Sequence, residues 1–171
     1  MNQIIIINGF ARSGKDSLAL FLKQHYKRHG IKTLIVSSVE DVKLAASILG
    51  WDGTKTPENR NALSDLKDLA TKYWDGPFKM MSSYIKEITN NECLIFFIRE
   101  PKEIGRMVEV YPGILTILIN RDNHESADNH ADTNVLNYKY DCIIDNNRSL
   151  DDLSKEAEGI VLTTLKYRDR Q

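Results

Sequence analysis

The residues best suited to chemistry lie near the N-terminus, in the segment Gly9-Phe-Ala-Arg-Ser-Gly14-Lys15. They fit the pattern G-x-x-x-x-G-K, in which glycines let the backbone curl until successive N–H groups face one anion. The start of a following helix adds positive potential, and the lysine ammonium can reach the outer phosphates of a nucleotide. The pattern therefore predicts a site for nucleotide phosphates. The residues expected to bind the nucleotide are Gly9, Ala11, Arg12, Ser13, Gly14, Lys15, Asp16 and Ser17.

Two residues at the end of this segment are candidate magnesium ligands. Asp16 occupies the position where such loops usually carry serine or threonine, and Ser17 follows it. Mg²⁺ accepts oxygen ligands of either kind, so either side chain could act on the metal, directly or through a water molecule. The sequence leaves the choice between them open.

Arginines elsewhere in the chain could add positive charge to a phosphate site. Arg12 lies within the loop itself, and the alternative for it is a solvated loop arginine. Arg99 follows the apolar run LIFFI, at the strand end where open α/β sheets bind ligands, with a salt bridge to Glu103 as the alternative. Arg60, near the start of a predicted helix, could grip an acceptor phosphate with its planar fork or lie on the helix surface.

The elements that must position these residues alternate along the chain. Short apolar, β-branched runs predict strands, and apolar residues at three- and four-residue spacing predict helices. Helices between strands imply crossovers and a parallel sheet, hence an α/β fold. The predicted strands are Ile4–Ile7, Thr33–Ser37, Cys93–Ile98, Ile114–Ile119 and Asp141–Ile144. The predicted helices are one from the glycine loop to near Gly30, then Val39–Leu49, Pro57–Lys72, Phe78–Thr89, Pro101–Glu109 and Leu150–Lys166.

The overall composition limits the function classes. The 23 Lys and Arg residues nearly balance the 24 Asp and Glu residues, so nothing suggests a surface for nucleic acid. The first residues, MNQIIIING, lack the basic start and the apolar core of about 7–15 residues of a signal peptide, and no run approaches the ~20 apolar residues of a membrane span. Cys93 and Cys142 lie in apolar runs and are expected to be reduced core residues of a cytoplasmic protein. The 171 residues, without a linker, favour one domain.

The polar segment Arg121–Asn137 has little to bury. It suits a lid that closes over phosphates, with Arg121 adding charge, and a plain loop is the alternative. His124, Asp128, His130 and Asp132 could also form a divalent metal site, although such spacing in a polar loop is weak evidence. Trp51 and Trp74 flank one predicted helix, where they could stack on a base or simply pack.

The string RSGKDS resembles the G-x-x-x-S-G-K-D-[ST] loop of phage-type deoxynucleoside monophosphate kinases and, in related form, of animal-type phosphomevalonate kinases. Later segments favour the first family by their order and spacing, and Arg121 matches a recurrent basic residue of that family. These segments are ILGWDGTKTPENRNAL (48–63), YWDGPF (73–78), REPKE (99–103), DNHAD (128–132) and CIIDNNRSLDDL (142–153).

This resemblance implies a three-layer P-loop NTPase fold with a five-stranded parallel sheet, acceptor-binding helices at about 39–90 and a lid at about 121–139. It implies transfer of the γ-phosphoryl group of ATP to a (deoxy)nucleoside monophosphate, with Mg²⁺ as cofactor. Small-molecule nucleotides are then the partners, without nucleic acid or membrane, and a homodimer stays open. The catalytic candidates are Lys15, Arg12, Arg99 and Arg121, and the acceptor candidates are Lys55, Arg60 and Arg99.

One position departs from the family pattern. The aspartate of the family's D-x-R motif falls on Phe97, so the strand lacks the acid that usually helps to hold magnesium-bound water. Glu100 or Asp16 could compensate. The alternatives are therefore a catalytically weak nucleotide-binding module and a kinase for another small phosphorylated acceptor, such as phosphomevalonate.

Overall fold

A computed structural model of the chain describes residues 3–54, 56–89, 91–122 and 134–168. Its strands are β1 (Gln3–Asn8), β2 (Lys32–Ser37), β3 (Glu92–Phe97), β4 (Leu115–Asn120) and β5 (Cys142–Asp145). Its helices, within the described residues, are α1 (Lys15–Arg28), α2 (Glu40–Ile48), α3 (Pro57–Trp74), α4 (Gly76–Glu87), α5 (Pro101–Val110) and α6 (Leu150–Arg168).

The strands form one five-stranded sheet in the order β2-β3-β1-β4-β5. β1 lies in the centre and pairs in parallel with β3 and β4, and β4 pairs in parallel with β5. This architecture confirms the predicted α/β fold with a five-stranded parallel sheet. Because the chain moves to opposite sides of β1 to reach β3 and β4, the carboxyl end of β1 lies where open sheets of this kind bind ligands.

Burial on both faces of β1 explains its continuous apolar sequence. Ile5 and Ile7 belong to a core cluster with residues of α1 and α6, such as Leu22 and Val161. Ile6 points to the opposite face and is also fully buried. A central strand without a polar face is what a parallel sheet covered by helices requires.

The contacts divide the chain into two compact units. The larger unit comprises Met1–Ile35 and Ile88–Gln171 and carries the sheet core, and the smaller unit comprises Val36–Glu87. β2 begins in the larger unit and ends in the smaller one. The expectation of a single domain stays a prediction.

The described residues of the smaller unit include the end of β2 and the helices α2, α3 and α4, and local interactions explain the ends of α3. Thr56 caps α3, where its hydroxyl accepts a hydrogen bond from the Asn59 N–H (3.3 Å), and Pro57 takes the first helical position. Asp75 ends α3 in the left-handed conformation (φ 55°), so α4 begins at Gly76 rather than at the predicted Phe78. No helix within the described residues is long and apolar enough to cross a membrane.

Candidate phosphate-binding site

The loop between β1 and α1 follows a path that only glycine permits at two positions. Gly9 has φ 153°, and a Cβ there would lie 2.3 Å from the Ile119 carbonyl oxygen on β4. Gly14 has φ 103°, and a Cβ there would lie 2.3 Å from the side-chain nitrogen of Asn146. The two glycines of the motif thus let the loop approach the ends of β4 and β5 closely.

Lys15 is the first residue of α1, and its ammonium lies over the loop that precedes it. The Nζ atom donates hydrogen bonds to the carbonyl oxygens of Gly9 (2.6 Å) and Phe10 (2.5 Å). Carbonyl oxygens carry no net charge, so these two contacts do not cancel the positive charge of the ammonium. Arg12 lies exposed in the same loop in the left-handed conformation (φ 61°).

Three features of this loop fit a bound phosphate. Gly14 is the N-cap of α1, and among the described residues no side chain caps the helix there, so its first N–H groups can serve an anion. The Ser13 hydroxyl is buried and has no hydrogen-bond partner within the described part of the chain. The two glycine positions form a cradle that side chains would fill. The residues therefore fit the phosphates of a nucleotide.

Asn8 and Asn146 hold the loop to its surroundings. Asn8, the last residue of β1, accepts a hydrogen bond from the Gly9 N–H (2.8 Å) and donates to the Arg99 carbonyl (3.0 Å) and the Tyr140 hydroxyl (2.7 Å). Asn146 follows β5 and donates to the Ser13 carbonyl (2.8 Å). Sequence reasoning missed the role of both asparagines. Their signal in the sequence was a polar residue at or just after the carboxyl end of a strand.

The magnesium candidates lie on the first turn of α1, where Asp16 is exposed and Ser17 is half-buried. Phe97 is the last residue of β3, directly opposite Ile7 of β1, and it packs against the core cluster. Within the described residues no group of three or more His, Cys, Asp or Glu side chains could hold a metal ion. The hydroxyl and carboxylate oxygens of Ser17 and Asp16 suit Mg²⁺ by their chemistry.

The remaining predicted cations are distributed over both units. Arg99 follows β3 and is half-buried, and Arg121 follows β4 and is exposed, so both leave the carboxyl edge of the sheet from which the loop also departs. Arg60 is exposed on α3 in the smaller unit. Lys55 and most of the predicted lid, including His124, Asp128, His130 and Asp132, lie outside the described residues.

Each compact unit also has a hollow on its surface that could hold part of a ligand. In the larger unit, a polar hollow of about 420 Å³ lies between the end of β5 and the start of α6, and Asn146 and Arg148 line it. In the smaller unit, an apolar groove of about 460 Å³ is lined by Trp51 and by leucines of α3, with Asn59 and Asp65 as polar residues. The Trp51 ring is held by its indole N–H, which donates to the Thr54 carbonyl (3.0 Å).

Solved structures of similar fold include P-loop kinases. A variant of the APS kinase of Mycobacterium tuberculosis matches with a TM-score of 0.54 at 12% identity, over 94% of this chain and 96% of that one. An uncharacterized protein from Eubacterium ventriosum matches with a TM-score of 0.53 at 12% identity, over 93% of this chain and 98% of that one. A sugar kinase from Janibacter matches with a TM-score of 0.50 at 12% identity, over 92% of both chains.

At these identities the likeness concerns the fold alone. It agrees with the P-loop NTPase fold expected from the glycine loop. No protein-family model and no curated protein matches the chain.

Proposed function

We propose that the protein is an ATP-dependent kinase that phosphorylates a (deoxy)nucleoside monophosphate to the diphosphate. The observation that carries this proposal is the glycine loop, which curls at the carboxyl end of the central strand with Lys15 over it and an uncapped helix N-terminus beside it. Such a loop binds the phosphates of a nucleotide. The kinase fold of the similar structures supports phosphoryl transfer as the reaction.

The chemical step needs position and charge rather than a base. A phosphate oxygen of the acceptor forms a bond to the γ-phosphorus of ATP, the bond from that phosphorus to the β–γ bridging oxygen breaks, and ADP leaves. The acceptor phosphate is already ionised, so no proton has to be removed. Lys15, Arg12, Arg99 and Arg121 are the cations proposed to offset the charge that spreads over the transferring group.

Magnesium would be held by Asp16 or Ser17 on the first turn of α1. When bound, it supplies positive charge to the β- and γ-phosphates. The polar hollow beside Asn146 is our candidate for the nucleoside of ATP, because Asn146 both lines this hollow and binds the Ser13 carbonyl of the loop.

The nucleoside monophosphate is proposed as acceptor for two reasons. The segments resembling nucleotide kinases occur in order along the chain, from Ile48–Leu63 to the closing helix. The smaller unit also contains an apolar groove lined in part by Trp51, whose indole N–H bonds the Thr54 carbonyl, and such a ring can stack on a base. Arg60, exposed on α3, is the candidate for the acceptor phosphate, and Lys55 stays a prediction.

Phe97 supports a second candidate function. Because this ring packs against the core at the end of β3, the strand contributes no carboxylate to a metal site there. A nucleotide-binding module with little catalytic activity would fit that feature.

A coupled assay of ADP release separates these candidates. Purified protein with MgATP is given a panel of deoxynucleoside and ribonucleoside monophosphates together with phosphomevalonate. Release of ADP with a nucleoside monophosphate supports the proposed kinase, and release with phosphomevalonate alone would replace the acceptor. Tight ATP binding without ADP release over the whole panel would favour the binding module.

Lys15→Ala tests the role of the loop lysine. The loss of this cation should lower kcat/KM by about 10²-fold or more, because the ammonium that lies over the loop is then missing from the transition state. Lys23→Ala is the matched control, since it removes an exposed lysine from the same helix. Both variants should keep the far-UV circular dichroism of the wild type. Turnover of Lys15→Ala within tenfold of the wild type would refute the mechanism.

A further inference from the structure

Asn8 is a fully buried amide at the point where β1 becomes the phosphate loop. A carbonyl can only accept and an amide N–H can only donate, so the contacts with Arg99 and Gly9 allow one orientation of this side chain. Its oxygen must face the Gly9 N–H, and its nitrogen must face the Arg99 carbonyl. Asparagine satisfies both contacts, whereas aspartate would place an oxygen against the carbonyl.

The second hydrogen of the Asn8 amide goes to Tyr140, which lies far along the chain. The Tyr140 hydroxyl accepts that hydrogen (2.7 Å) and donates its own to the Val135 carbonyl (2.8 Å). Tyr140 and Val135 are both buried, and the ring of Tyr138 packs edge-on against that of Tyr140 at 5.0 Å. A tyrosine hydroxyl is protonated at physiological pH and can donate, and burial raises the pKa of the Tyr140 hydroxyl further, to about 12.

Asn8 therefore connects the backbone of Arg99 with that of Gly9, whose carbonyl bonds the Lys15 ammonium. Gly9, whose N–H it holds, carries the carbonyl that accepts from the Lys15 ammonium (2.6 Å). Arg99, whose carbonyl it holds, leaves the end of β3. A shift of this amide would move both the lysine and the arginine relative to a bound phosphate.

We propose that Asn8 and Tyr140 are positioning residues of the phosphate site, in which the Tyr140 hydroxyl fixes the Asn8 amide and the amide sets the backbone of Gly9 and Arg99. Neither residue is assigned to bind the nucleotide. The assignment rests on the function proposed above, since it concerns the same loop.

Tyr140→Phe tests this inference because it removes one hydroxyl and leaves the ring. The expected result is a rise of about tenfold in the Kd of ADP, measured by isothermal titration calorimetry, since one buried hydrogen bond no longer orients the loop. In the ADP-release assay kcat should fall as well, because Arg99 loses its fixed backbone. Asn8→Asp places a carboxylate oxygen against the Arg99 carbonyl oxygen, so it should weaken ADP binding at least as much. This variant replaces Tyr140→Phe in the test if Tyr140→Phe does not fold.

Tyr26→Phe is the matched control. It removes the hydroxyl of another buried tyrosine of the larger unit, and this hydroxyl forms a hydrogen bond with Thr164 at 2.8 Å. Tyr26 lies on α1 about 16 Å along the helix from Lys15. The Tyr26→Phe variant should unfold at a lower temperature than the wild type, as Tyr140→Phe should. Its Kd for ADP should stay within twofold of the wild-type value.

The outcomes distinguish this inference from the proposed function. An unchanged Kd and kcat in Tyr140→Phe, or an equal loss of affinity in Tyr26→Phe, would overturn the positioning role alone. Wild-type protein that binds ADP but phosphorylates no acceptor would overturn the kinase, and the Kd comparison would still decide the positioning role. Wild-type protein that binds no ADP would overturn both.

Discussion

Gly14 is one of the two loop glycines at which a side chain would not fit without a rearrangement. Its backbone has φ 103°, and a Cβ would meet the buried Asn146 amide at 2.3 Å, so Gly14→Ala adds strain and also displaces the side chain that holds Ser13. We expect Gly14→Ala to weaken ADP binding by about 10²-fold and to destabilise the fold by about 2 kcal/mol or more.

Gly30→Ala is the control for Gly14→Ala, because it introduces backbone strain without a close contact of the added Cβ. Gly30 also has a positive φ (71°), but a Cβ there would meet nothing within 4 Å. It should cost about 1 kcal/mol of unfolding free energy in a urea titration and leave ADP affinity unchanged. Equal effects of the two substitutions on ADP affinity would contradict the role given to the contact between Gly14 and Asn146.

The candidate site could be predicted from the sequence only where its causes are local. Gly9, Gly14 and Lys15 follow from a short pattern between a strand and a helix. Asn8 and Asn146 do not, because their partners lie 91 and 133 residues away along the chain, and no spacing rule brings them together. The roles of Arg12, Arg60, Arg99 and Arg121 stay predictions.

At the scale of the elements, the Ser82 hydroxyl on α4 has no hydrogen-bond partner among the described residues. The residue is also buried. Ser82→Ala should stabilise the protein by about 1 kcal/mol, because an unpaired polar group leaves the interior and alanine favours the helix.

The neighbouring Ser83 provides the control for that substitution. It is exposed, and its hydroxyl donates to the Met80 carbonyl of the same helix (2.7 Å). Ser83→Ala gains the same helix propensity without removing an unpaired buried group, so thermal unfolding should change less than in Ser82→Ala. A Ser82→Ala protein that is less stable than the wild type would show that this hydroxyl has a partner.

Element types were predictable because each strand and helix has its own apolar pattern. The boundaries were less so, as α4 shows. The predicted start was Phe78, but Asp75 ends α3 in the left-handed conformation, which non-glycine residues seldom adopt, and α4 begins at the next residue. For α2 the error was a single residue at each end, where Val39 and Leu49 are the caps.

At the scale of the whole molecule, the division into two compact units was not predicted. The boundary near residue 35 falls inside β2, and that near residue 87 falls at the end of α4, with no proline- or glycine-rich linker at either place. The spacing of apolar residues predicts whether a residue lies in a strand or a helix. It does not predict which strands and helices pack together, because packing depends on contacts between segments that are distant in sequence.

The core of the larger unit predicts how the stability of the protein depends on pH. Burial raises the pKa of the Cys93 thiol from 9.0 to about 12, and burial also raises the pKa of the Tyr26 hydroxyl above its ordinary 10.0. In the unfolded chain these groups lose their protons near their ordinary values, while the folded chain keeps them. The unfolded state then binds fewer protons, so stability falls as the pH rises.

We expect the free energy of unfolding to be nearly constant from pH 7 to 8.5 and to fall between about pH 9 and 12. Each group that ionises only in the unfolded chain contributes about 1.4 kcal/mol per pH unit. Urea titrations at pH 7, 9 and 10.5 measure this slope. Cys93→Ala lowers stability at every pH by leaving a cavity, but its curve should fall less steeply above pH 9 because one of these groups is gone. Parallel curves for the variant and the wild type above pH 9 would mean that the Cys93 thiol ionises equally well in the folded core.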